Sequence, residues 1–369
     1  MSVPRVYTLG NVPLVSLLGY SIAKLPEQGR IPNVVMLLRD QAALDRFLHN
    51  DSKLSISNRG LVLDQVQTMA SCSVPRYSDG LVAPMENIVL GGSNWMDEKN
   101  LMKSYRKAVT KDSTLLLLNP SFHTLDRLID PNASKKLLTE RPRVLWGWTG
   151  SNNTTKVVVK EEEFKMSIKK DELSIMISEL PVLDNSNLVM NGEKETNTML
   201  AVLQKLGSTS GVVNIRVENK IFNDQFIAFI EKYLIESIIE PLCVLNECRD
   251  YGELLGMKDL NKVIVPLMQE KITTFNKAYP FLSQTYGNRL LLDTSRISHL
   301  ILDRIKSRPK TNSWAFTQLK ILKRNELLEL INFIPYLSNR NNLKIPRNML
   351  LNHLVKGKID IYCGKKLSS

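Results

Sequence analysis

The run Arg5-Val6-Tyr7-Thr8-Leu9-Gly10 reads as a short buried strand ending in a glycine turn, and an apolar helix follows from Leu14 to Leu25. Strand, glycine turn and helix in that order can hold a dinucleotide diphosphate against helix N–H groups. The chemistry asks for three glycines spaced G-x-G-x-x-G, and those places fall on Gly10, Val12 and Val15. Only Gly10 is kept. The second glycine lets the backbone approach the diphosphate, and Val12 puts a branched side chain there. The third allows close helix–strand contact, and Val15 thickens it. Pro13 stands where a helix-start N–H would face phosphate, and proline has no N–H. The sequence thus predicts the scaffold without its cofactor, and no cofactor is expected.

Other chemistry is absent or weak. No G-x-x-x-x-G-K-[ST] loop occurs, which disfavours a nucleoside triphosphatase. Gly207-Ser208-Thr209-Ser210-Gly211 resembles a nucleophile turn only superficially and reads as a loop. Cys72, Cys243, Cys248 and Cys363 show no C-x-x-C spacing and read as reduced structural thiols. His49, His123, His299 and His353 are scattered, so no metal site is expected. No zinc-finger spacing or familiar RNA-binding motif is found.

At 369 residues and 43% hydrophobic content, two ordinary globular domains are the natural expectation. No apolar run reaches membrane-spanning length. There is no secretory signal peptide. The first strand begins almost at the N-terminus, so any import signal is expected to be internal or retained.

The +12 charge is uneven: residues 301–369 hold fourteen Lys or Arg against four acids, which is +10 of that total. Arg304, Lys306, Arg308, Lys310, Lys320, Lys323, Arg324, Arg340, Lys344 and Arg347 are the candidate contacts to a polyanion such as RNA or a ribosome. Trp314, Phe316, Tyr336 and Tyr362 lie among them and could stack on bases, or could serve the core.

Elements to position these residues alternate in the first half. Strands are expected at Val6–Leu9, Val34–Leu38, Asn87–Leu90, Leu115–Leu118 and Val144–Trp148, with helices at Asp40–Leu48, Glu98–Ala108 and Thr124–Ile129. Three short antiparallel strands, Val157–Val159, Phe164–Ile168 and Leu173–Ile177, should follow. The polar stretch 183–197 reads as a linker. Beyond it the pattern is helical, over Ile221–Glu240, Leu260–Ala278, Arg296–Ile305, Trp314–Leu337 and Arg347–Val355. The expected fold class is α/β: a Rossmann-like, mostly parallel sheet domain over 1–182, then an all-helical domain over 198–369.

This order of elements resembles the ketopantoate reductase family. Asn119 in Leu118-Asn119-Pro120 sits where the family has an Asn-Gly turn. Lys232 sits where it has its catalytic lysine, and Pro241 also matches. Leu330-Ile331-Asn332 sits where it has Leu-Asn-Gly. Glu236 and Glu240 replace family asparagines, sharing a helix face with Lys232 at i+4 and i+8. Two carboxylates there would favour the protonated lysine and repel a keto acid. The family's substrate serine falls on Ala315 and its substrate glutamate on Leu327, with Glu326 and Glu329 as poor substitutes. Arg39 could still meet a ribose phosphate, as in NADP-binding relatives. The resemblance therefore implies a non-catalytic relative, with Gly10, Arg39, Asn119 and Lys232 vestigial.

Within that group, Pro4-Arg5-Val6-Tyr7-Thr8-Leu9-Gly10-Asn11, Val35-Met36-Leu37-Leu38-Arg39-Asp40-Gln41, Met69-Ala70-Ser71-Cys72 and Leu234-Ile235-Glu236-Ser237 resemble mitochondrial translational activators of cytochrome b. That resemblance implies partners: the 5′ untranslated leader of cytochrome b mRNA, the mitochondrial ribosome and other cytochrome b translation factors. It also implies a matrix location, with peripheral inner-membrane association open. The alternatives are an NADP-dependent keto-acid reductase using Lys232 as general acid, and a protein-only assembly scaffold.

Overall fold

The computed structural model describes residues 3–10, 12–29, 31–58, 61–150, 164–167, 172–184, 187–189, 198–209, 211–284 and 286–367. They form two compact units. One comprises Met1–Asp184 with Leu188–Phe222, the other Asn223–Ser369 with the short piece Asn185–Asn187.

The first unit runs β1 (Val6–Leu9), α1 (Pro13–Ala23), β2 (Val34–Leu37), α2 (Gln41–His49), β3 (Lys53–Asn58), β4 (Leu61–Gln67), β5 (Met69–Ser71), β6 (Asn87–Leu90) and α3 (Trp95–Tyr105). It continues with β7 (Thr114–Leu118), α4 (Phe122–Ile129), α5 (Pro131–Ser134), β8 (Arg143–Trp148), β9 (Lys165–Ser167), β10 (Glu172–Glu179), β11 (Val182–Asp184), β12 (Asn187–Val189), α6 (Thr198–Ser208) and β13 (Asn214–Asn219). Eight strands make one sheet, ordered β13-β10-β8-β7-β6-β1-β2-β5. Every neighbouring pair is parallel except β8 with β10. Strands β1, β6 and β7 are buried along their whole length, as a sheet covered on both faces requires. The chain leaves β1 for β2 on one side and reaches β6 on the other, so the β1–β6 boundary is the switch point where such folds bind ligands.

Local chemistry starts the helices. Asp40, Asn94 and Ser121 each accept backbone N–H bonds at the starts of α2, α3 and α4. Each cap is worth about 1 kcal/mol. The sequence reading starts α3 and α4 too late because those caps precede the first apolar repeat. By contrast, α1 has Pro13 in its first turn and no side-chain cap.

Several expectations need correction. Val157–Val159 lies outside the described residues. The other two strands do not pair with each other: β9 runs parallel to β3 in a separate sheet ordered β4-β3-β9. Strand β10 joins the large sheet instead, antiparallel to β8 and parallel to β13. The stretch taken as a linker carries the β11–β12 ribbon, and the units divide near Phe222 rather than at 183–197. Helix α6 and strand β13 therefore belong with the sheet. Met199, Val202, Leu203 and Leu206 of α6 are buried in its core.

The second unit holds α7 (Phe222–Leu245), α8 (Leu260–Ala278), α9 (Tyr286–Leu291), α10 (Thr294–Ser307), α11 (Trp314–Lys320), α12 (Asn325–Arg340) and α13 (Pro346–Leu367). Tyr233, Phe275 and Phe333, from α7, α8 and α12, meet edge-on or tilted at ring-centre distances of 5.7–6.2 Å. The continuous helix expected over Trp314–Leu337 is broken. Leu322 takes a left-handed φ of 60°, and Lys323 N donates to Gln318 O at 3.0 Å, which closes α11. Apolar spacing carries on across the break, so periodicity alone misses it. Helix α7 ends in the same way, with Glu247 left-handed and Cys248 N donating to Cys243 O.

Leu322 is 42% exposed, so its side chain adds little burial to set against its backbone strain. Leu322→Gly is expected to raise unfolding stability by about 0.5–1 kcal/mol, read as a higher urea midpoint at unchanged slope.

Candidate functional site

At the switch point, Gly10 has φ +111°, and a Cβ on it would lie 1.8 Å from Gly91 O. Gly91 N in turn donates to Leu9 O. The turn after β1 thus rests on the turn after β6, and only glycine fits the crossing. That is why this glycine stays while its two companions are replaced. A Cβ on Gly91 would meet Val12 Cγ2 at 2.5 Å and Val15 Cγ2 at 2.8 Å. The two valines therefore occupy the space in front of Gly91. Val15 is 2% exposed and its N–H already bonds Val12 O at 2.9 Å. Residues at this turn do not fit a nicotinamide dinucleotide: the backbone is shielded by two branched side chains and Pro13 has no N–H to offer.

The other residues that the reductase resemblance singles out have local partners. Arg39 is 89% exposed and pairs with its neighbour Asp40 at 2.9 Å. Asn119 is left-handed, with φ 46°. Its side-chain oxygen accepts from Thr149 N at 2.9 Å and its amide donates to Thr149 Oγ1 at 3.0 Å. It ties the ends of β7 and β8 together. Glu98, 1% exposed, was not singled out in the sequence. Its carboxylate accepts from Ser121 N, Ser121 Oγ and Thr124 Oγ1, joining α3 to α4. His123 stacks on Trp95, whose ring also lies 5.1 Å from the Arg127 guanidinium.

Lys232, Glu236 and Glu240 lie on α7, in the helical unit. Lys232 Nζ stands 4.0 Å from Glu236, and both side chains are about one-third exposed. Burial pushes the Glu236 carboxyl above the usual range, with Lys232 pulling it down and Glu240 pushing it up. Glu240 does not share the open face with them. It is fully buried and accepts from Tyr251 Oη and Ser313 Oγ, each at 2.6 Å, and from Ala315 N at 3.1 Å. The carboxylate thereby anchors the turn 251–256 and the start of α11. Ala315 and Leu327, where the reductase resemblance places substrate groups, are each 1% exposed. Glu326 accepts from Gln318 instead. Asn332 is held by Asn352, and Leu330 O by the Tyr233 hydroxyl, both within the helical core.

Sequence reasoning also missed Lys271, 4% exposed on α8, with its ammonium 6.0 Å from the centre of the Tyr233 ring. Burial pushes it down to about 7. A signal existed: Leu260, Ile264, Leu267, Lys271, Phe275 and Ala278 form one stripe at helical spacing.

Nine of the ten basic candidates, Arg304 excepted, are exposed, and they fall in three runs rather than one. Arg304, Lys306, Arg308 and Lys310 finish α10 and its exit. Lys320, Lys323 and Arg324 fill the α11–α12 turn, and Arg340, Lys344 and Arg347 surround the α12–α13 turn. Cations at helix C-termini also complement the helix dipole. The aromatics are less available than expected. Phe316 is 7% exposed under the Lys320 ammonium, and Tyr336 stacks on Phe333. Among the described residues, no group of His, Cys, Asp and Glu is arranged to hold a metal, and no helix is long and apolar enough to cross a membrane.

Burial raises the Glu240 carboxyl, and its three hydrogen bonds pull it back only in part. The folded state therefore holds this proton more tightly than the unfolded chain does. Its contribution is complete below the ordinary carboxylate range, falls as pH rises toward the folded value, and is flat beyond. Glu240→Gln should make that decline shallower in a pH series of urea midpoints, leaving the part that the likewise raised Glu236 contributes. Glu240→Ala leaves three donors unpaired and should lower stability by about 2–4 kcal/mol.

Residues 228–359 match the family model for the ketopantoate reductase PanE/ApbA C-terminal domain. Over 97% of its length and 96% of the relative's, the chain is 29% identical to the cytochrome b translational activator CBS2 of Saccharomyces cerevisiae. A ketopantoate reductase from Ralstonia eutropha superposes with TM-score 0.61 at 13% identity, covering 97% of this chain and 99% of that one. A probable 2-dehydropantoate 2-reductase from Bacillus subtilis gives 0.64 at 12% identity, over 96% and 99%. Identity that low speaks for the fold alone. This chain is a homologue of yeast CBS2, built on the ketopantoate reductase fold and carrying that family's C-terminal domain.

Proposed function

We propose that this protein is a non-catalytic activator of cytochrome b translation in the mitochondrial matrix. It works through the 5′ untranslated leader of cytochrome b mRNA and the mitochondrial ribosome. The observation that carries the non-catalytic half of this reading is the filled turn: Val12 and Val15 stand in front of Gly91 where a diphosphate would have to lie. The positive half is supported by end-to-end similarity to the yeast activator. Its working surface is the three basic runs of the helical unit, which attract a polyanion without needing a dedicated RNA fold. A peripheral position on the inner membrane is compatible with this role.

Two measurements test the reading. Calorimetric titration with NADPH should give no heat of binding at millimolar cofactor. Saturation in the micromolar range with turnover of a keto acid would make the protein a reductase with Lys232 as its acid. Binding to leader RNA across salt concentrations should weaken steeply. Replacing Lys320, Lys323 and Arg324 by Gln should reduce the log–log salt slope by about 2–3. An unchanged slope would remove these cations from the contact, and capture of ribosomal protein without RNA in crosslinked mitochondria would favour a protein-only scaffold.

A further inference from the structure

Helix α13 is apolar on two opposite faces. One face, including Leu351, Val355 and Ile359, is buried in the helical unit. On the opposite side stand Leu350, Leu354 and Ile361, 59%, 52% and 59% exposed. Gly357 and Gly364 complete that outer line, and a Cβ on either would meet nothing within 4 Å. The five residues repeat at alternating intervals of four and three, the spacing of a coiled-coil seam. They span about 21 Å along the axis and an arc of about 80°. The seam runs past residue 359, where the match to the reductase family model stops.

The width of this line says what kind of surface it fits. A helix that lies in a bilayer needs an apolar arc of more than about 100°, whereas a narrow a/d line fits a single partner helix. The two glycines add no apolar area for lipid but leave room for a facing side chain to seat. Charge selects the partner further. Arg347, Lys356, Lys358, Lys365 and Lys366 share α13 with one acid, Asp360, so a second copy of this helix would be repelled. Two of these cations are held in place: Lys358 pairs with Glu247 at 2.6 Å and Arg347 with Glu270 at 3.5 Å. We infer that the outer face of α13 docks one amphipathic helix of a partner protein, with leucine-type residues on its seam and acidic residues on its flanks.

The test uses the full-length protein and a fluorescent synthetic peptide of three heptads, with Leu at a and d and Glu on the flanks. The expected result is saturable binding that weakens with salt. Leu354→Gln and Ile361→Gln should each reduce affinity about tenfold without moving the thermal midpoint. A peptide with Lys in place of Glu should bind at least about tenfold more weakly. Gly357→Leu separates helix docking from lipid: it should weaken the peptide by filling the seam, whereas it would strengthen attachment to phosphatidylglycerol vesicles. Three results would overturn the inference: equal binding of the Lys peptide, binding indifferent to Leu354 and Ile361, or vesicle attachment that depends on those residues and rises with Gly357→Leu. Sedimentation showing a dimer abolished by Leu354→Gln would assign the seam to self-association instead.

Discussion

The crossing of Gly10 over Gly91 is the constraint on which the sheet unit turns. A parallel sheet with helices on both faces must bring the loop after its first strand across the end of the neighbouring strand. Here that approach leaves no volume for even one carbon. With backbone fixed against backbone, the side chains that follow decide what the crossing can do. Small residues would open a shelf for a phosphate, and Val12 with Val15 close it. The same local geometry serves a binding fold and a closed one, and two side chains separate them.

A second constraint works in the helical unit. A carboxylate with no exposed surface needs partners for its oxygens, and Glu240 finds three. Those partners belong to segments far apart in sequence, so one buried carboxyl group fixes where the turn 251–256 and α11 sit. Removing charge from such a site while keeping the hydrogen bonds is far less harmful than emptying it.

Much of this was legible in the residues. The largely apolar run Val6–Leu9 and the all-apolar run Leu115–Leu118 announce strands buried on both faces, and Leu260–Ala278 was readable to its ends because its repeat is clean. The crowding of the turn after β1 was legible at Val12 and Val15. What the residues hide is set by distant contacts. No local pattern shows that Asn119 spends its amide on Thr149, or that Glu240 turns from Lys232 toward Ser313. The break at Leu322 was hidden because a leucine occupies the left-handed place usually held by glycine. Strand pairing was misjudged for β9 because three residues carry too little pattern to choose between sheets.

The C-terminal rim of the sheet is braced at three points: Gly10 on Gly91, Glu98 across to α4, and Asn119 across to Thr149. Together they link the exits of β1, β6, β7 and β8 by short, mutually dependent bonds. Among the described residues, these ties hold the turns that leave β1, β6 and β7 and the end of β8 to one another. A macromolecule that touches those tied turns meets backbone already set, so little ordering entropy is lost there and recognition relies on shape present beforehand.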